Sequence, residues 1–186
     1  GGGRANVLGC EGKWAIHPSQ VALANEIFSP AEAEVKKAER IMEAMAQGMR
    51  DGGEILKAAA ERVTSTWSDP PKFEVKVALG NTPKKGIQCT VETDDLRWLW
   101  TDKGTKPHII RARNAPRLAF PSVFEPKSKP NSLRASAGSS GGPTVYAQEV
   151  QHPGTEPRNF SKTIHQRYHS DFKRAVADAI AKWRRK

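Results

Sequence analysis

His165 and His169 stand four positions apart in a stretch of helical periodicity, a spacing that turns two imidazoles toward one ligand, as zinc sites require. A third ligand would have to come from Asp171 or His152, and neither has the spacing of a ligand set, so a polar helix flank accounts for the pair. Cys89 with a histidine would make a nucleophile, but it falls on the apolar side of an alternating run, where a core thiol belongs. Trp98 and Trp100 could stack on bases. Their i, i+2 spacing places them on one strand face, where packing is the commoner role. There is no phosphate-binding glycine loop and no Ser-His-Asp pattern. The residues thus predict no catalytic set and no metal.

The best-organised chemistry is that of turns. Asp102-Lys103-Gly104-Thr105-Lys106-Pro107-His108 is echoed fifty positions later by His152-Pro153-Gly154-Thr155-Glu156-Pro157-Arg158. Both place Gly-Thr-x-Pro at the edge of a strand. Glycine permits positive φ, proline fixes φ and pushes its predecessor toward extended backbone, and a threonine hydroxyl can close a local turn.

These turns lie in a strongly basic region. Residues 1–48 hold five Lys/Arg against six Asp/Glu, whereas residues 49–186 hold 25 against 14, a net of +11. The shift predicts two parts, an appendage over 1–48 and a domain over 49–186. The latter is long enough to bury a core without staples. Such a charge also fits a nucleic-acid-binding module, although no base-reading motif accompanies it. Cys10 and Cys89 form no disulfide framework, which suits a reducing setting. No apolar run approaches a membrane span, so no membrane partner is expected. A chain opening on Gly1-Gly2-Gly3 reads as a fragment or processed product.

The elements that must position the turns follow from periodicity. Lys13–His17 is a short strand stopped by Pro18, and Ser19 or Ser29-Pro30 offers a helix start. Val35, Ala38, Ile41, Met42 and Met45 are helically spaced, with Gly48 ending or kinking that helix and Gly52-Gly53 making a second break. A new helix is predicted from Glu54 to about Trp67. Phe73–Leu79 and Ile87–Val91 alternate as a hairpin, and His108–Arg111, Leu118–Phe120 and Thr144–Val150 read as further strands. Residues 125–143, rich in Pro, Ser, Gly and Lys, predict a mobile loop. Phe160, Ile164, Tyr168, Phe172, Val176, Ile180 and Trp183 mark a terminal helix. The order predicts an α+β fold, a small antiparallel sheet flanked by an N-terminal and a C-terminal helix, with an N-terminal strand–helix appendage.

The ordered set Asp-x-Gly-Thr-Lys-Pro-His-Ile-Ile-Arg, Leu-Ala-Phe, the Gly/Ser-rich insertion and Val-x-His-Pro-Gly-Thr-x-Pro-Arg-x-Phe resembles a family of tailed-bacteriophage proteins. These are the tail-completion and head–tail joining (neck) proteins, or minor tail components. The resemblance covers about residues 49–186. It implies a structural virion protein, assembled in the bacterial host cytoplasm, that forms a homo-oligomeric ring between tail-tube and head-connector proteins and catalyses nothing. On that reading Gly104, Thr105, Pro107, His108, Arg111, His152, Gly154, Thr155, Pro157, Arg158 and Phe160 are the subunit-contact candidates. Lys127, Lys129 and Arg134 are candidates for facing passing DNA, and the 125–143 loop orders on assembly.

The front segment resembles a second family. Gly9-Cys10-Glu11-Gly12-Lys13-Trp14-Ala15-Ile16-His17-Pro18-Ser19-Gln20-Val21, followed by Asn25-Glu26-Ile27-Phe28-Ser29-Pro30, is similar to the last barrel strand and succeeding helices of malyl-CoA lyases and citrate-lyase β-type enzymes. The resemblance covers about residues 4–46 and implies a TIM-barrel rim, with Ile16, His17 and Pro18 beside a Mg²⁺-assisted C–C cleavage site. One strand cannot close a barrel, and the carboxylates and arginine of such a site have no counterpart here. The segment is therefore expected to be a lyase-like fragment without activity. Mg²⁺ is implied only if the lyase reading holds, and no other cofactor is expected.

Overall fold

The computed structural model describes residues 18–79 and 86–185. The expected strand Lys13–His17 and the turn that joins the first hairpin lie outside them. The chain divides into two compact units, Gly1–Glu43 and Ala44–Lys186. No helix among the described residues is long and apolar enough to cross a membrane.

In the first unit, helix α1 (Ser19–Phe28) buries no residue and leaves Val21 and Leu23 exposed. Ser29 closes it, its amide donating to the Asn25 carbonyl, and helix α2 starts at Glu32. Helix α2 runs to Thr64 without interruption. The expected end or kink at Gly48 and the break at Gly52-Gly53 do not occur. Each glycine costs an isolated helix about 1 kcal/mol relative to alanine, but here all three are buried at close approaches. A Cβ on Gly48 would lie 2.7 Å from Val176 Cα, and one on Gly53 would lie 2.4 Å from Val75 Cγ1. The glycines are contact points within the second unit rather than helix breakers.

In that unit, β1 (Glu74–Leu79) and β2 (Ile87–Glu92) form the expected antiparallel hairpin, with Val75 opposite Val91 and Val77 opposite Cys89. Helix α3 (Leu96–Lys103) replaces the expected strand-like segment. Asp95 caps it by accepting the Arg97 amide, and the 3.6-residue period separates Trp98 from Trp100. Trp98 turns inward and Trp100 stays half exposed, so the two indoles share no face.

Strands β3 (His108–Arg111), β4 (Leu118–Glu125), β5 (Ser139–Ala147) and β6 (Glu149–His152) complete the β structure, and helix α4 (Phe160–Arg184) ends it. The fold is α+β, its strands paired as three two-stranded antiparallel sheets, β1–β2, β3–β6 and β4–β5. The strand expected over 144–150 is divided at Gln148 between two of these sheets. Glu125 and residues 139–143, expected in the loop, are strand residues, with Ser139, Ser140 and Gly141 paired to Glu125, Phe124 and Val123 of β4. The irregular stretch between them donates from Asn131 N to the Arg158 carbonyl and from Ser136 N to the Lys127 carbonyl.

The core gathers Ala59, Ala60, Phe73 and Ile164, with Leu56, Val91, Trp98, Leu133 and Tyr168 packed against it. Trp98 meets Phe73 edge-on at 4.9 Å and Phe160 at 5.3 Å. Leu133 brings the Ser- and Lys-rich stretch against this core.

Candidate functional site

The two Gly-Thr-x-Pro turns meet. Thr105 and Thr155 form an antiparallel bridge, each amide donating to the other's carbonyl at 3.0 and 3.2 Å. The Thr155 amide also lies 2.9 Å from Thr105 Oγ1. The bridge keeps the register of β3–β6, in which His108 faces His152. The ladder is interrupted between them, where Pro107 and Pro153 have no N–H to offer. Gly104 (φ +75°) and Gly154 (φ +92°) flank the bridge, and a Cβ on either would lie 2.4 or 2.2 Å from the opposite threonine's carbonyl oxygen. Positive φ and close approach both demand glycine there.

Asp102 anchors the clasp to the helices. Its buried carboxylate accepts the Ser161 amide and hydroxyl, each at 2.9 Å, and pairs with Lys103 at 3.2 Å. Its carbonyl accepts the Asn159 amide, and the Thr101 carbonyl accepts that of Arg158. The end of α3 thereby caps the start of α4, where a negative charge offsets the free amides and the helix dipole. Asn159, at φ +56°, supplies no side-chain cap of its own. Sequence reasoning passed over Asp102, although it opens the first copy of the repeat.

The histidines at the strand ends have rings 5.0 Å apart. His108 Nδ1 lies 2.9 Å from the Lys106 carbonyl, which can only accept, so that nitrogen carries a proton. His152 Nδ1 accepts the Gly154 amide at 3.0 Å, so its proton sits on Nε2. A histidine that binds metal through Nε2 needs a proton on Nδ1, and His152 has the opposite arrangement. These rings line a cleft of about 640 Å³ with Trp100, Arg97 and Lys106.

The other sequence-predicted positions scatter. Arg111 pairs with Glu149 across β3–β6 at 3.1 Å, both exposed. Phe160 is wholly buried and packs on Trp98, which makes it a core residue rather than a surface one. Arg158 is nine-tenths buried. Pro107 and Pro157 are exposed beside the clasp. Lys127 donates its ammonium to the Thr66 carbonyl at 2.9 Å, while Lys129 and Arg134 are exposed. His165 and His169 sit with rings 5.3 Å apart, and among the described residues no three potential ligands gather around a metal position. The half-buried Cys89 thiol is pushed up by desolvation, which disfavours the thiolate a nucleophile needs.

Sequence reasoning also passed over Arg97. Its guanidinium holds both oxygens of Asp95 and reaches Asp69 at 3.0 Å, keeping the Asp95 carboxyl below its usual range. Lys76 lies between Glu74 and Glu92 on the hairpin, and the hydrogen bond to Glu92 raises it.

No family model matches the chain, and no solved structure does. Among curated proteins, the L-malyl-CoA/β-methylmalyl-CoA lyase of Rhodobacter capsulatus is 53% identical over 49 residues, 26% of this chain and 15% of that one. The enzyme of the same name from Cereibacter sphaeroides is 45% identical over 64 residues, 33% and 20% of the two chains. The malyl-CoA/β-methylmalyl-CoA/citramalyl-CoA lyase of Chloroflexus aurantiacus is 48% identical over 44 residues, 24% and 13%. The chain thus spans a fifth or less of the length of these relatives. A short part of it is similar to malyl-CoA lyases, as the front segment predicts.

Proposed function

We propose that the chain is a structural subunit of a phage virion, a ring-forming tail-completion or neck component that sits between tail-tube and head-connector proteins. The observation that carries this reading is the β4–β5 ribbon. Of its strands only Leu118, Phe120 and Ala147 are partly covered, while Phe124 is 71% exposed, Tyr146 64% and Val123 56%. A two-stranded ribbon with bare apolar side chains is marginal in water and gains from burial against another chain. Ile109, exposed on β3, adds to the same character. The unpaired strand edges offer amides and carbonyls to a neighbour. The test is light-scattering mass of the full chain across concentration, alone and with a tail-tube protein. A discrete oligomer or a mixed complex is expected; a monomer that ignores the tail-tube protein would overturn the reading.

The matches to malyl-CoA lyases support a second reading, in which the chain is a fragment of a C–C lyase of that type. Malyl-CoA cleavage assayed with Mg²⁺ separates the two. The first reading expects no turnover, and turnover would favour the second.

A further inference from the structure

Arg158 presents a buried charge with little to balance it. The residue is nine-tenths buried, and its Nε has no hydrogen-bond partner among the described residues. Its ion-pair contact runs from Nη1 to Glu156 at 3.8 Å, beyond hydrogen-bonding distance, and that carboxylate is 72% exposed. A guanidinium withdrawn from water without a close counter-ion is destabilising, and a carboxylate supplied from outside would relieve it. Arg158 lines a cavity of about 360 Å³ with Trp67, Phe124, Pro126, Lys127 and Ser128, and no acidic residue is among its walls.

The chemistry of these walls narrows the ligand. The Lys127 ammonium donates to the Thr66 carbonyl and keeps its positive charge at the cavity, so it adds to the attraction for an anion, while the Arg158 fork supplies the planar donor set. A planar fork matches a carboxylate, and among walls that also carry serine and threonine hydroxyls, Trp67, Phe124 and Pro126 offer apolar surface to the methylenes that bear one. Phe124 stands exposed at the cavity, continuous with the bare side chains of the ribbon. A charged anchor in an apolar surround is the anatomy of a protein–protein hot spot. We propose that this cavity receives an acidic side chain, glutamate or aspartate, of another polypeptide, whose carboxylate pairs with Arg158. The proposal does not depend on the ring reading.

The experiment titrates the ¹⁵N-labelled full chain with N-acetylglutamate methylamide, its glutamine counterpart and sodium sulfate at constant ionic strength. The Trp67 indole N–H is followed by NMR. A saturable shift is expected with the glutamate probe, with half-saturation on the order of 1 mM or weaker, as a single ion pair supports. The glutamine probe and sulfate bind about tenfold more weakly or not at all, since hydrogen bonds to charged groups carry that much. R158K weakens the glutamate probe about tenfold by losing the fork. E156Q, at an exposed position, tightens it about two- to threefold by removing a weak competitor. Absence of a saturable shift, or equal binding of the glutamine probe or sulfate, would overturn the proposal. So would unchanged or weaker binding by E156Q, which decides the matter if R158K does not fold.

Discussion

Thr105 and Thr155, fifty positions apart, exchange backbone hydrogen bonds across a single bridge in register with β3–β6. The repeat that reads as two similar loops is one structure, each copy closing the other. Its glycines face the opposite copy's carbonyl, and Pro107 and Pro153 mark where the ladder lapses.

Gly104→Ala and Gly154→Ala are each expected to destabilise the chain by about 1–3 kcal/mol, combining positive φ with a clash against backbone. Urea unfolding checks this. Because the two glycines flank one bridge, the double variant should lose less than the sum of the singles.

Asp102→Ala should cost about 1–2 kcal/mol, because it removes the carboxylate that accepts the Ser161 amide and hydroxyl at the start of α4. Ser161→Ala should cost less, since the backbone amide keeps its acceptor. Thermal unfolding of both variants ranks them, and the reverse order would show that Asp102 is not the cap.

Gly48→Ala sets helix propensity against packing. Propensity alone expects a gain of about 1 kcal/mol, whereas a methyl group placed 2.7 Å from Val176 Cα expects a net loss of about 1–3 kcal/mol. Loss is the expected outcome in denaturant unfolding.

Asp95 gives a pH dependence of known sign. Arg97 holds its folded-state pKa below the unfolded value, so its contribution is fully present above the ordinary carboxylate range. That contribution is lost as pH falls from the unfolded toward the folded value. Melting temperature measured from pH 6 to pH 2 should fall less steeply for Arg97→Ala than for the parent. High salt should narrow the difference, because the Arg97 side of the pair is half exposed.

Phe124→Ser should leave stability within about 0.5 kcal/mol, as exposed substitutions do. If the ribbon is an assembly surface, the same variant should reduce the oligomer fraction in light scattering. Equal assembly by parent and variant would remove Phe124 from the contact.

The elements with a strong period were legible from the chain. Phe160 to Trp183 reads as a helix, and Val75, Val77, Cys89 and Val91 as an alternating hairpin, because burial of one face imposes that period whatever lies opposite. Leu96–Trp100 was not legible. In so short a run Trp98 and Trp100 fit a strand as readily as a helix, and the cap from Asp95 with the aromatic contacts of Trp98 decides for the helix.

By itself the sequence determined the fold class, the periodic elements, the charge shift near residue 48 and the lyase-like character of a short part of the chain. It also placed glycine and proline in both copies of a repeat. Only the tertiary structure decided what those residues are for. Gly48, Gly52 and Gly53 admit close neighbours instead of ending a helix, Asp102 caps a helix 58 residues further on, and Arg158 carries a buried charge at a cavity. The physical reason is common to all three. Propensity and period are properties of neighbours in sequence, whereas close approach, capping and desolvation depend on which distant atoms the fold brings within a few ångströms.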